Sequence, residues 1–98
     1  MRDILNKLDK LLENRIRLGI MSALMVNESL DYNSLKELLE VTDGNLASHL
    51  KSLEKNDYLR VHKQFVGRKP NTSYSATHYG RKVFNQHLRA LEEIIKQK

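Results

Sequence analysis

Six small, hydrogen-bonding or cationic residues recur at helical spacing around the middle of the chain. They are Gly44, Asn45, Ser48, Lys51, Ser52 and Lys55. At about 100° per residue they lie opposite the stripe formed by Leu46, Leu50 and Leu53, while Asp43 and Glu54 fall towards the flank. A carboxylate-free face of this kind donates hydrogen bonds to phosphates and approaches base edges closely. The pattern therefore favours a DNA recognition helix, and an ordinary solvated helix face is the alternative.

Two short helices joined by a tight turn, over residues 31–56, are predicted to position this face. The first helix carries leucines at helical spacing, Leu35, Leu38 and Leu39. Asp31 supplies an acceptor for the N-cap of the first helix, and Thr42 supplies a hydroxyl for that of the second. The leucine stripes of the two helices would share one core, which is the organisation of a helix-turn-helix.

Most of the net charge of +5 lies in the second half of the chain. Residues 44–89 carry nine Lys or Arg and only two acidic residues, whereas residues 1–43 carry six basic and eight acidic residues. Such a basic segment is the electrostatic footprint of a polyanionic partner, and it begins at the predicted recognition helix. A basic surface that serves only solubility is the alternative.

A hairpin is predicted over residues 58–76. Its first strand has apolar residues at alternate positions, Leu59, Val61 and Phe65. The alternation is imperfect because Lys63 falls on the apolar side. Residues 66–71 contain Gly and Pro and predict the turn, and residues 72–76 predict the returning strand.

The tip of this hairpin carries Arg68 and Lys69. A projecting hairpin places these two cations where they can meet phosphates or enter a minor groove. A charged loop tip that serves only solubility is the alternative.

Amphipathic helices are predicted at both ends of the chain, over residues 1–13 and, as the distal part of a final helix over 77–96, over residues 84–96. The apolar positions of the first are Ile4, Leu5, Leu8, Leu11 and Leu12. Those of the second are Phe84, Leu88, Leu91 and Ile95. The final helix is roughly 30 Å long at 1.5 Å per residue, more than so small a domain covers. Bare apolar surface on both helices predicts a dimer interface, and packing of the two helices within one monomer is the alternative.

Length and composition exclude several classes of protein. The 98 residues predict a single domain, residues 1–98. With no cysteine there is no disulfide framework, thiolate nucleophile or cysteine-based metal site. The most apolar run, residues 16–26, is about half as long as a bilayer span and contains Arg17, and no signal peptide is recognisable. We therefore expect a soluble, cytoplasmic protein without membrane association.

No catalytic, metal or cofactor site is expected. The sequence has no Gly-flanked nucleophile and no phosphate-cradling Gly-rich loop. Its four histidines are scattered at His49, His62, His78 and His87. The last two are nine residues apart, which does not bring them together on a helix as a separation of four would. We therefore expect a protein that is not an enzyme.

Asn14 can cap a core helix over residues 15–27, and Leu30 can pair as a minor strand beside the hairpin. The fold class is then α+β, a winged helix-turn-helix with a two- to three-stranded wing and terminal dimerisation helices. The chain resembles the small winged helix-turn-helix transcription regulators of the MarR/ArsR type over nearly its whole length. The resemblance rests on NRIRLGIMSAL, LKELLEVTDGNLASHLKSLEKNDYLRV and GRKPNTSYSATHYGRK, and TDGNLASHLKSLE is its most specific segment.

The resemblance implies that the helix over residues 43–56 lies in the major groove of double-stranded DNA. The residues placed near DNA are then Asp43, Gly44, Asn45, Ser48, Lys51 and Ser52. Arg68 and Lys69 of the wing are placed over the flanking minor groove. The resemblance also implies a homodimer that reads a pseudo-palindromic operator with half-sites about one turn apart, and we expect a repressor.

The sequence differs from this family in two respects, and one alternative function is possible for the same fold. Many ArsR relatives sense metals through cysteines, which this chain lacks. Larger MarR relatives bind small aromatic effectors. An effector pocket is compatible with this sequence, but no residue pattern supports one. The rival is a winged-helix protein-interaction module within a larger assembly. Its exposed recognition face would be acidic or apolar, whereas Ser48, Lys51, Ser52 and Lys55 favour DNA.

Overall fold

The computed structural model of the chain describes residues 1–97. Its helices are α1 (Arg2–Leu5), α2 (Arg15–Met25), α3 (Tyr32–Leu39), α4 (Asp43–Lys55) and α5 (His78–Ile95), with a 3-10 turn at Leu11–Glu13. Its strands are β1 (Leu30–Asp31), β2 (Leu59–Val66) and β3 (Lys69–Ala76), in one antiparallel sheet of order β1-β3-β2. This is the predicted α+β winged helix-turn-helix fold. None of the helices over residues 1–97 combines the length and apolar character needed to cross a membrane.

Four helices begin at the predicted N-caps, Asn14, Asp31, Thr42 and Thr77. Each side-chain oxygen accepts a hydrogen bond from a backbone N–H two or three residues further on, at 2.7 to 3.3 Å. These bonds satisfy N–H groups that have no partner inside the helix, and one cap contributes about 1 kcal/mol. Local sequence therefore fixes where each of these helices starts.

The helix-turn-helix ends its two helices with left-handed residues. Glu40 follows α3 with φ 52° and ψ 51°, and Asp57 follows α4 with φ 68°. After α4, Asp57 N–H donates to the Glu54 carbonyl at 3.0 Å and Tyr58 N–H donates to the Leu53 carbonyl at 2.9 Å. This is the Schellman arrangement, which satisfies the last carbonyls and turns the chain directly into β2.

The leucine stripe of α4 is buried as predicted, and it packs into one core with α2, α3 and the base of the hairpin. Leu46, Leu50 and Leu53 have at most 3% of their surface exposed. On α3, Leu35 is buried but Leu38 is 60% exposed, so placing Leu38 on the core face was wrong. Since Leu39 is the α3 side chain that approaches Gly19 of α2, the core lies on the Leu39 side of Leu35.

The continuous helix predicted over residues 1–13 is wrong. Helix α1 ends after four residues, and a separate 3-10 turn follows at Leu11–Glu13. The 3-10 turn follows Asp9, whose Oδ1 accepts from Leu11 N–H at 2.9 Å and Leu12 N–H at 3.2 Å. The backbone N–H of Asp9 donates instead to His87 Nδ1 at 2.9 Å, across 78 residues. A short Asp side chain that offers the backbone a local acceptor competes with helical bonding.

The strands of the hairpin are longer and its turn is tighter than predicted. Val66 pairs with Lys69, so that Gly67 and Arg68 alone form the turn and Pro70 lies in β3 opposite Phe65. Gly67 has φ 66°, a left-handed conformation that glycine adopts without a Cβ clash. Pro70 is tolerated because β1 pairs only with Ser73 and Tyr74, beyond which β3 has a free edge.

Candidate nucleic-acid interface

Helix α4 presents the predicted polar arc to solvent. Five of its residues are exposed, Gly44, Asn45, Ser48, Lys51 and Lys55, and Ser52 is half-buried. Because the leucine stripe holds the opposite face in the core, the arc has a fixed orientation. A helix of about 10–12 Å diameter with small side chains on its outer face fits the major groove of B-DNA.

Gly44 leaves open space on the first turn of α4. A Cβ built at this position meets no heavy atom within 4 Å. Neither packing nor a left-handed conformation therefore requires glycine here. A residue without a side chain leaves room here for another molecule to approach the backbone closely.

Replacing Gly44 by Ala is expected to separate folding from binding. The free energy of unfolding should stay constant or rise by up to about 1 kcal/mol, because alanine is the better helix former. Affinity for DNA should fall, because the added methyl group holds the helix away from the groove. Thermal unfolding and a DNA titration of the same sample measure both effects. A variant that binds as the parent does would show that α4 does not approach DNA through its first turn.

Asp43 is engaged within the helix-turn-helix. Its Oδ2 lies 3.1 Å from Lys36 Nζ, and the Tyr32 hydroxyl donates to its Oδ1 and to its backbone carbonyl, both at 3.1 Å. The hydrogen bond from Lys36, followed by that from Tyr32, lowers the pKa of Asp43. A carboxylate in the first turn also interacts favourably with the helix dipole. Asp43 thus joins α3 to the start of α4, a role that the sequence did not predict.

An open groove of about 300 Å³ separates α4 from the wing. Lys51 of α4 and Lys63 of β2 line it together with Val61, Thr72 and Glu54. The ammonium groups of Lys51 and Lys63 provide donors for phosphate oxygens along this groove. Lys63 was missing from the predicted site, and its signal in the sequence was the cation that interrupted the apolar alternation of β2.

Arg68 and Lys69 both lie at the exposed end of the wing, as predicted, with Arg68 in the turn. Within residues 1–97, neither they nor the three lysines Lys51, Lys55 and Lys63 belong to a salt bridge. When no carboxylate is paired with a cation, nothing offsets the attraction between that cation and a polyanion. The structure therefore brings two groups of free cations to α4 and to the wing.

Not every basic residue belongs to this surface. Arg81 donates to the Leu24 carbonyl at 3.2 Å and to the Met25 carbonyl at 3.4 Å, and thereby caps the end of α2. Arg17 Nε donates to the Leu11 carbonyl at 2.7 Å, and its Nη1 lies 3.0 Å from His49 Nδ1. Burial, followed by the charge of Arg17, lowers the pKa of His49, which favours the neutral ring that accepts from the guanidinium.

The predicted dimer residues fall into two groups. Leu12 and Phe84 are buried in the core of the chain itself, with 1% and 5% of their surface exposed, so neither offers surface to a second copy. Leu5, Leu88 and Ile95 are exposed. The half-buried members are Ile4, Leu8, Leu11 and Leu91. The alternative, packing within one monomer, therefore accounts for part of the predicted stripe.

Polar contacts hold the N-terminal segment against α5 and against Tyr58, which lies between α4 and β2. Besides the bond from Asp9 to His87, the Tyr58 hydroxyl donates to Asp9 Oδ2 at 2.5 Å, and Lys7 Nζ lies 3.5 Å from Glu93 Oε2. Burial, followed by the bond to Asp9, raises the pKa of Tyr58, so the hydroxyl remains a donor.

Within residues 1–97 no group of three or more His, Asp or Glu is arranged to hold a metal ion.

Comparison with known proteins agrees with this fold. A family model described as winged helix DNA-binding domain matches residues 16–95. An uncharacterized protein of Methanocaldococcus jannaschii is 31% identical over 87 residues, covering 89% of this chain and 95% of the relative.

Solved structures show the same fold. A transcriptional regulator homologue from Pyrococcus horikoshii OT3 superposes with a TM-score of 0.84 at 29% identity, covering 96% of this chain and 91% of the other. A MarR-family regulator from Porphyromonas gingivalis W83 gives a TM-score of 0.69 at 23% identity, covering 89% and 80%. The chain belongs to the family of winged helix DNA-binding domains and is a winged-helix transcription regulator.

Proposed function

We propose that this protein is a single-domain, homodimeric cytoplasmic repressor that binds a pseudo-palindromic operator in double-stranded DNA. The observation that carries the proposal is the exposed arc of α4, where Gly44, Asn45, Ser48 and Lys51 face solvent without a carboxylate among them. In the complex α4 lies in the major groove. Asn45 and Ser48 face base edges, while Lys51, Ser52 and Lys55 donate to phosphates.

The wing supports the same orientation. Lys63 and Lys51 line one groove, so a sugar-phosphate strand that runs along it meets both ammonium groups. Arg68 and Lys69 then extend the contact to the flanking minor groove. Asp43 acts from within the protein, by holding α3 and α4 in register through Lys36 and Tyr32.

Two copies are proposed to associate through the distal part of α5 and the N-terminal segment. The exposed apolar side chains there are Leu5, Leu88 and Ile95, and Ile95 is 80% exposed. Burial of apolar surface by a two-fold mate stabilises association by about 25 cal/mol per Å². A two-fold dimer places its recognition helices on successive major grooves, about one turn of DNA apart. Repression follows from occupation of a promoter.

Lys51→Ala and Arg68→Ala are expected to weaken binding to every DNA sequence and to make log affinity less steep in log salt concentration. Each substitution removes about one phosphate contact from each protomer, so the slope for the dimer should fall by about two. Fluorescence anisotropy titrations between about 50 and 200 mM salt measure it.

The matched control for these titrations is Arg15→Ala, which removes an exposed cation at the start of α2, outside the proposed DNA and dimer surfaces. Its slope should equal that of the parent protein. If Lys51→Ala and Arg68→Ala leave the slope unchanged, or if Arg15→Ala lowers it equally, the cations of α4 and the wing do not contact DNA.

A further inference from the structure

The wing carries a pair of exposed apolar residues that take no part in the proposed contacts between its cations and DNA. Phe65 is 73% exposed, and its cross-strand partner Pro70 is exposed as well. Directly paired residues on one face of an antiparallel hairpin have Cβ atoms about 4.5–5.5 Å apart, so the two side chains lie side by side. We call Phe65 and Pro70 the wing platform.

The wing platform lies on the face of the hairpin that turns towards α4. Val61 and Lys63 of β2 line the groove against α4. Side chains at alternate positions share a face of a strand, which places Phe65 on the same face as Val61 and Lys63. Gln64 and Val66 lie on the opposite face. The platform therefore continues the surface that starts with Lys51 and Lys63.

The charges around the platform indicate what covers it. No Asp or Glu occurs between Asp57 and Glu92, so the whole hairpin lacks carboxylates. Lys63 lies two residues before Phe65 on the same face, and Arg68 and Lys69 follow at the end of the hairpin. An apolar side chain among unpaired cations complements a partner whose charge is negative and whose recessed surface is apolar. The minor groove of DNA has this chemistry, because phosphates border a floor and walls of bases and sugars, and apolar side chains commonly enter it.

We propose that Phe65, supported by Pro70, lies in the minor groove beside each half-site and packs its ring against the sugar walls while Arg68 and Lys69 contact the bordering phosphates. This inference rests on the proposed function, since α4 must first dock in the major groove. An apolar contact releases no counterions. Phe65 therefore contributes affinity without contributing to the salt slope, in contrast to Arg68.

The first experiment uses the absence of tryptophan in this chain. Phe65→Trp and Gln64→Trp each provide a single reporter, and the two lie on opposite faces of the same wing. When a duplex selected by the protein from a random pool is added, the emission of Phe65→Trp should shift to the blue or be quenched. The emission of Gln64→Trp, whose cross-strand partner is Asn71, should change little. Equal responses from both reporters, or no response from Phe65→Trp, would overturn the placement of Phe65.

The second experiment measures affinity. Phe65→Ala should weaken operator binding roughly tenfold, the size expected for partial loss of a buried Phe, with the salt slope unchanged. Gln64→Ala, an exposed position on the other face, should bind within about twofold of the parent. Since both side chains are exposed, circular dichroism should show both variants folded.

The outcomes separate this inference from the proposed function. If the parent protein binds its operator and Phe65→Ala binds equally well, the wing platform does not contact DNA, although the proposed function stands. If Phe65→Trp emission changes with protein concentration alone, the platform meets a second copy instead, and the inference is wrong. If the parent protein binds no duplex, both the proposed function and this inference fail.

Discussion

Replacing Leu88 and Ile95 together by Glu is expected to convert the protein into a monomer and to lower its operator affinity by about 10² to 10⁴-fold. The two residues lie seven apart on one stripe of α5, and both are exposed, so the monomer keeps its core. Carboxylates at these positions would be buried without partners in a dimer. The loss of affinity follows because each monomer binds its half-site alone, without the effective concentration that the partner provides.

Sedimentation velocity and DNA titration of the same preparation measure this effect. The matched control is Val26→Glu, which places a carboxylate on another highly exposed apolar residue, at the end of α2. That variant should remain dimeric. A dimer that survives the double substitution would place the interface elsewhere on the chain, and a monomer with the affinity of the parent would contradict two-fold binding.

Gly80→Ala is expected to lower the free energy of unfolding by about 3 kcal/mol, at the upper end for an overpacked site. A Cβ at Gly80 would lie 2.1 Å from the backbone oxygen of Tyr58, which also accepts from Thr77 N–H at 3.1 Å. Relief of this clash requires α5 to move away from the junction between α4 and β2. For a domain of this size the melting temperature should fall by roughly 12–24 °C.

Gly19→Ala is the matched control for that measurement. The Cβ there would meet only Cδ2 of Leu39 at 2.9 Å, the end of a flexible side chain that can rotate. The gain in helix propensity offsets part of the crowding, so stability should change by less than about 1 kcal/mol. If differential scanning calorimetry gives both variants the same melting temperature, α5 does not approach Tyr58 as closely as the structure places it.

The features that were predictable from sequence are those fixed by neighbours in the chain. Asn14, Asp31, Thr42 and Thr77 each cap a helix through an N–H only two or three residues away. The leucine stripe of α4 is equally local, because the helical period determines which residues share a face. The polar arc of α4 was therefore predictable from the sequence alone.

The features that were missed depend on contacts between distant residues. The 3-10 turn in the N-terminal segment follows Asp9, which meets His87 across 78 residues and Tyr58 across 49. Lys63 joins the candidate interface only because the hairpin folds back beside α4. Arg81 belongs to the basic segment of residues 44–89 that was expected to meet a polyanion. Instead, its guanidinium caps α2 through the carbonyls of residues 56 and 57 positions earlier in the chain. No local pattern encodes such pairings.

The most direct test of the central claim is selection of bound sequences from a random duplex pool at about 150 mM salt, where non-specific phosphate contacts are already weakened. The proposal predicts enrichment of an inverted repeat whose half-site centres are about 10 base pairs, or a multiple of that spacing, apart. Failure of a folded, dimeric protein to enrich any sequence would contradict operator recognition and would instead favour a winged helix that binds another protein.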